Sequence, residues 1–305
     1  VGTDVDGVAW DRRTLPRGSE GLVGARVRVE FDAVATHARV YCNGEPAGEQ
    51  DGHLGGWAPF RVDLTDHLKW DGADVLEVRT DEMVGHNTQG FLPIIQPHFG
   101  GIWQPVTLCV DRGPVVDRIG LFAFGKADGA LEYRVPTLPT APGSGAGAVR
   151  VEVAVLDGRE TLAKASATCA PGETVAGTLR VPGVEPWEPA GRGAPRLYDL
   201  RVTLQDELGR GLDRVDRRVG FRDLAADGTT VLWNGAPLQV RGGLHWVYSP
   251  PHLAPPTDEA HWRRQLEDFR ALGFNLVKAC LWGPPRRFYE LCDELGLLCW
   301  QEYPT

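Results

Sequence analysis

GFNLVKACLWGPPRRFYELCDELGLLCWQEYP, residues 273–304, holds two short apolar runs with an amphipathic segment between them. FNLVKACLW (274–282) reads as a mostly apolar strand. Pro284 and Pro285 open a helix that runs through Leu295 and carries Phe288, Leu291 and Leu295 on one face. Gly296 ends that helix, and LLCW (297–300) is a second apolar strand. Upstream, WNG (233–235) is a turn and PLQVRG (237–242) a strand. Thr257 is placed to cap a helix whose first turn carries Asp258 and Glu259, matching the positive end of the helix dipole. Trp262, Leu266 and Phe269 recur at helical spacing, and Gly273 is placed as the C-terminal cap. Strand, helix, strand, helix, strand, with nearly continuous apolar strands, predicts parallel β structure in an α/β fold. A (β/α)₈ barrel takes about 250 residues. Residues 223–305 hold three strands, so the expectation is the first part of a barrel, unclosed within this chain.

Further toward the N-terminus the helical period disappears. Residues 113–222 are read as one β-sandwich. AVRVEVAVL (148–156), RLYDLRVTLQD (196–206) and DRVDRRVGFRDL (213–224) alternate apolar and polar, and about seven short strands fit an immunoglobulin-like fold. TLPTAPGSGAGA (137–148) is glycine-rich but precedes a strand. A phosphate-binding glycine loop follows a strand and opens a helix, so a hairpin loop is the better reading. Residues 1–112 are read as another all-β unit. ARVRVEF (25–31), ARVYCNG (38–44), FRVDL (60–64) and DVLEVRT (74–80) are its strands, with Asn43-Gly44 and Asp71-Gly72 as turns.

The chain has 305 residues, 42% hydrophobic and 24% charged, with a net charge of −9 at pH 7. An acidic chain without a basic stripe speaks against nucleic acid and against an anionic membrane surface as partners. No apolar run reaches the roughly 18 residues of a membrane span. Val1 opens neither with a start methionine nor with a signal peptide, so both ends are read as cut, and localisation and oligomeric state stay open. None of the six cysteines forms a CxxC pair; buried reduced thiols are expected. The histidines have no ligand spacing, and neither metal nor cofactor is expected.

Three clusters of motifs, in order, resemble glycoside hydrolase family 2, the group of β-galactosidases, β-glucuronidases and β-mannosidases. VYCNGEPAGEQDGHLGGWAPFRVDLTDHL (40–68), VLEVRT (75–80) and GGIWQPVTLCV (100–110) are similar to its sugar-binding jelly roll. RLYDLRVTLQD with VGFRDL (219–224) resembles its immunoglobulin-like middle domain. NGAPLQVRGGLHW (234–246) and residues 273–304 resemble the first three strands of its catalytic barrel. There are departures. Galactosidase-like members carry Arg at the position of Lys278 and His near Leu281. LWGPP and WQEYP are closer to mannosidase-like members. The loop FLPIIQPHF (91–99) lacks the acid that galactosidase-like and glucuronidase-like members place there. The sugar therefore stays open among galactoside, mannoside and glucuronide.

The resemblance implies retaining hydrolysis of a carbohydrate substrate by two Glu residues, one protonating the leaving oxygen and one attacking the anomeric carbon. In the family both lie on barrel strands four and seven, which the resemblance puts beyond Thr305. No catalytic residue is therefore assigned in this chain, and residues 1–305 alone are expected to be inactive. Substrate contacts are expected from the strand ends: His245 and Trp246 after strand one, Lys278 in strand two, Trp282 after it, and Glu302 at the end of strand three. Gln96 and His98 belong to the loop that can reach the barrel mouth. Each has a plainer reading: core packing for the tryptophans, a structural ion pair for Glu302 and Lys278, a surface loop for Gln96 and His98. Asp293 and Glu294 read as a solvated helix end. Residues 1–112, 113–222 and 223–305 are the expected domains. An open sheet edge predicts poor solubility for these residues alone. The alternative is a non-catalytic carbohydrate-binding or scaffolding protein with a vestigial barrel.

Overall fold

The computed structural model describes residues 2–3, 7–15, 24–50, 56–82, 99–140, 147–246, 248–249 and 255–302. Up to residue 111 the described chain is antiparallel β structure. One sheet orders Gly7–Thr14, Val75–Glu82, His37–Cys42 and Glu45–Gln50; another orders Val106–Asp111, Arg26–Phe31 and Phe60–Asp63. Period-two alternation turns Val27, Val29 and Phe31 of one sheet, and Ala38, Val40, Cys42, Leu76 and Val78 of the other, into a shared core. The tight turn after Cys42 needs two successive positive φ values, which Asn43 at 55° and Gly44 at 83° supply. Asn43 also anchors it, donating from Nδ2 to Asp74 at 2.8 Å and accepting from the Val75 amide at 2.9 Å.

Residues 115–219 repeat the principle with different strands. Glu160–Cys169, Val149–Asp157, Tyr198–Gln205 and Gly211–Val219 form an antiparallel sheet. Ala130–Leu138, paired with Val115–Val116, Phe122–Gly125 and Thr174–Arg180, contributes to the same core. No described residue between 113 and 222 is helical.

After residue 223 a short antiparallel hairpin system, Leu224–Asp227, Thr230–Trp233 and Ala236–Pro237, leads into a parallel sheet of Gly242–His245, Leu276–Ala279 and Leu298–Gln301. The parallel pairing agrees with the expectation from apolar strands. Helices α1 (Glu259–Ala271) and α2 (Arg286–Leu295) connect them. Two local readings need correction. The segment 237–242 is not one strand: pairing stops at Pro237 and resumes at Gly242, because Leu238 still bonds back to Val231 while Arg241 already bonds to Asn275. The cap of α1 is Asp258, not Thr257; its carboxylate accepts the His261 amide at 2.7 Å. Gly296, at φ 75°, ends α2 as read.

A third core joins the first unit to the helical layer. Ala33, Ala35, Trp57, Phe99 and Trp103 pack with Trp262, Leu266, Val277, Ala279, Trp282, Phe288 and Leu291. The approach at Gly283 is so close that a Cβ there would lie 2.7 Å from Trp57 Cβ. All six cysteines are free thiols; Cys42, Cys280 and Cys292 are buried.

Candidate functional site

The two faces of the parallel sheet have different fates. Val277 and Ala279 point to the helices and are fully buried. Alternation sends Lys278 to the other face, in register with Leu244 on one side and Trp300 on the other. Leu244 and Trp300 are 56% and 59% exposed. The ammonium of Lys278 lies 3.3 Å from Glu302 Oε2 and 5.5 Å from the centre of the Trp300 ring. Glu302 stands just past the C-terminal end of its strand, its amide bonded to Ala279 O at 3.1 Å. The thiol of Cys280 and the Lys278 ammonium hold its carboxyl below the usual range, so it is ionised. The buried Cys280 thiol is pushed up, by burial first and then by Glu302. Trp246, half-buried, follows the first strand.

Two expected site residues do not belong to this face. Trp282 is fully buried; it stacks on Trp262 with centroids 5.6 Å apart and donates its indole N–H to His245 O at 3.0 Å. Enclosed in this way, it has no surface for a sugar. His245 also turns inward, between the strands and helices, beside Trp262, Phe269, Trp282 and Phe288. Its Nε2 pairs with Gln265 at 3.2 Å, and burial lowers its pKa, keeping the ring neutral. His245 falls on the helix side because it is in register with Ala279; Trp282 lies past the end of that strand, after Leu281, whose φ of 58° breaks the alternation and lets the indole turn into the core. Gln96 and His98 lie outside the described residues. Of the loop 91–99 only Phe99 is described; it packs on Trp57, and Trp57 reaches Trp282. Thr305, beyond which the two catalytic glutamates are expected, also lies outside the described residues, the last of which is Glu302.

Some features escaped the reading of the sequence. Trp57 and Trp103 knit the first unit to the helices, which no local pattern announces. Trp300 shares the Lys278 face, a placement available from the alternation of LLCW. Asp293 is an exposed helix end, as read, but it also borders a crowd of charged groups. It opens into a crevice of about 260 Å³ between α2 and the Tyr198–Gln205 and Gly211–Val219 strands, with Asp199, Arg217, Glu290 and Glu294 in its walls. Desolvation there, with Glu290 and Glu294 adding, pushes its carboxyl up to about 6 against the pull of Arg222. Glu294 instead accepts Arg263 and Arg287 at 2.8 and 2.9 Å. Among the described residues no cluster of three metal-binding side chains occurs, and no helix is long and apolar enough to cross a membrane.

Comparison with known proteins follows the same outline. Residues 127–222 match the model of the family described as Glycosyl hydrolases family 2. A β-galactosidase of Thermoanaerobacter pseudethanolicus is 26% identical over 97% of this chain and 39% of its own length. β-Mannosidase B of Thermothelomyces thermophilus is 26% identical over 96% of this chain and 38% of its own length. The solved structure of Bacteroides uniformis β-glucuronidase 2 superposes with a TM-score of 0.82 at 25% identity, covering 99% of this chain and 37% of that one. The chain thus spans between 26% and 39% of the length of the first curated relatives it matches. In the matched family model, the relatives that follow nearly its whole length and the shared fold, the chain is similar to glycosyl hydrolase family 2.

Proposed function

We propose that this chain belongs to a retaining exo-β-glycosidase and supplies one wall of its substrate pocket. Residues 1–112 are its sugar-binding jelly roll, 113–222 an immunoglobulin-like sandwich, and 223–305 the opening strands of a (β/α)₈ barrel. The observation that carries this reading is the Lys278–Glu302 pair at the C-terminal ends of parallel strands, 3.3 Å apart, on the face turned away from the helices. Barrel active sites form at that end of the strands. A lysine held beside an ionised glutamate offers a donor and an acceptor to adjacent sugar hydroxyls, while Trp246 offers an apolar wall. The likeness of their loop to its family counterpart assigns Gln96 and His98 to the same mouth. Neither Lys278 nor Glu302 performs the bond cleavage. Retention needs a protonated carboxylic acid and a carboxylate nucleophile about 5–5.5 Å apart. Glu302 is ionised and tied to an ammonium, so it is a poor proton donor and a weakened nucleophile. The reading takes the acid and the nucleophile from strands beyond Thr305.

The test compares residues 1–305 with the product of the whole reading frame that encodes them, on aryl β-galactoside, β-glucuronide and β-mannoside. Turnover by the longer product and none by residues 1–305 supports the reading, as does a raised KM in the longer product carrying Glu302→Gln. Glycan binding without turnover by either product would favour a binding protein with a vestigial barrel. Turnover by residues 1–305 that is lost on Glu302→Gln would show that Glu302 is itself catalytic.

A further inference from the structure

The first sheet carries an aromatic pair on its solvent face that the barrel reading does not use. Val8, Trp10 and Arg12 sit opposite Asp81, Arg79 and Glu77, and these sit opposite His37, Arg39 and Tyr41 on the next strand. The alternate residues of the two inner strands, Leu76, Val78, Ala38, Val40 and Cys42, are in the core. Alternation therefore turns the Trp10 and Tyr41 rows outward. Two strand spacings separate Trp10 from Tyr41, roughly 10 Å of backbone. Yet their ring centroids are only 5.5 Å apart, with 36° between the planes. The two side chains must therefore lean toward each other across the middle strand. Trp10 remains 57% exposed, on a strand exposed at all eight positions. The rings are framed by charges already matched one to one: Arg12 with Glu77 at 3.6 Å, Arg79 with Asp81 at 3.0 Å and Arg39 with Glu49 at 3.4 Å.

We propose that Trp10 and Tyr41 form a stacking platform for the neutral sugar rings of a glycan chain. A pyranose ring offers an apolar C–H face bordered by hydroxyls. The indole and phenol rings, 36° from parallel, cover the first, and the flanking guanidinium and carboxylate groups bond the second while keeping their own partners. The balance of charge sets the class. Three acids against three arginines leave no surplus cation for an acidic glycan. A second copy of the chain fits less well, because six charged groups around the rings would have to be desolvated, and interface centres are depleted of charge. The proposal is independent of the Lys278–Glu302 reading and stands or falls separately.

The probe is electrophoresis of the full-length product of the reading frame that encodes residues 1–305, wild type and variants, through native gels cast with soluble galactomannan, xyloglucan or mixed-linkage β-glucan, with polygalacturonate as the acidic counterpart. The expected result is retardation by at least one neutral polymer and none by polygalacturonate. Trp10→Ala should lower the association constant by about tenfold or more, as loss of a central aromatic anchor does. Trp10→Phe should keep most of the binding, and Leu208→Ala, at an exposed position of the middle unit, all of it. An unchanged melting temperature in Trp10→Ala shows that binding, not folding, was lost. Equal retardation of wild type and Trp10→Ala, or no retardation in any neutral gel, overturns the proposal. So does self-association in the ultracentrifuge that Trp10→Ala abolishes, since the face would then be an interface between copies.

Discussion

At the scale of single residues, the neighbours of Lys278 and Trp282 show how much changes when the backbone leaves the extended conformation, as it does after Ala279 and at Leu281 with its φ of 58°. Four residues apart in sequence, they have opposite environments. Lys278 is partly exposed and paired with a glutamate; Trp282 is enclosed on all sides and bonded through its indole N–H. Their replacements should differ accordingly. Trp282→Ala removes a buried ring, opens a cavity and takes from His245 O one of its two donors, leaving the Cys280 amide, at a cost of about 3–5 kcal/mol. Lys278→Met breaks only a solvent-accessible ion pair, which contributes little to stability. Urea unfolding followed by far-UV circular dichroism should show a large drop in midpoint for the first and almost none for the second. Comparable drops for the two would mean that Trp282 is not the buried anchor described.

At the scale of elements, α1 decides how the first and second parallel strands are joined. Its start is a choice between two adjacent capping residues, Thr257 and Asp258. The side chain of Asp258 accepts the amide three residues on, whereas Thr257 lies outside the cap. Asp258→Ala should therefore cost about 1 kcal/mol of stability, and Thr257→Ala close to nothing. Thermal melts of the two variants at neutral pH distinguish them, and a reversed order would return the cap to Thr257. Burial of one face holds the helix in place: Trp262 and Leu266 enter the core shared with the first unit. Its C-terminal turn passes to Gly273, whose φ of 85° lets the chain reverse into Asn275.

At the scale of the molecule, the crevice between α2 and the middle sheets couples stability to pH. Asp293 holds its proton to about pH 6, whereas the unfolded chain releases it near the usual value of 3.8. Between those values the native state carries the extra proton, so stability falls as pH rises through the window and stays lowered above it. Asp293→Asn cannot ionise. It should melt higher than wild type above pH 6, and the advantage should fade as pH falls toward 4. Melting curves at pH 4, 5, 6 and 7 test this. A constant difference across the series would place the effect in packing rather than in ionisation.

The alternating strands near 25–31, 38–44, 60–64, 74–80, 148–156 and 196–206, the two helices, the turns at Asn43-Gly44 and Gly296, the switch from antiparallel to parallel structure after residue 223 and the family resemblance were legible in the sequence, whereas Gly7–Thr14, Ala130–Leu138, Glu160–Cys169 and Thr174–Arg180 were not read as strands. What was legible depends on local geometry: the period of two or 3.6 residues, the φ that a glycine or asparagine tolerates, the apolar runs of strands covered by helices. The Lys278–Glu302 pair was half legible, since both residues could be placed at strand ends but their contact could not. What only the tertiary structure decided is the side on which each strand-end residue falls. PLQVRG was read as strand, but pairing begins at Gly242 and continues through His245, whose register with Ala279 turns it toward the helices, where Trp282 also lies. Likewise, nothing near Trp57 or Trp103 in sequence says that they pack against α1 and α2, because that core joins residues more than 150 positions apart. Local pattern specifies an element; which face is buried depends on the register and partners that the rest of the chain brings to it.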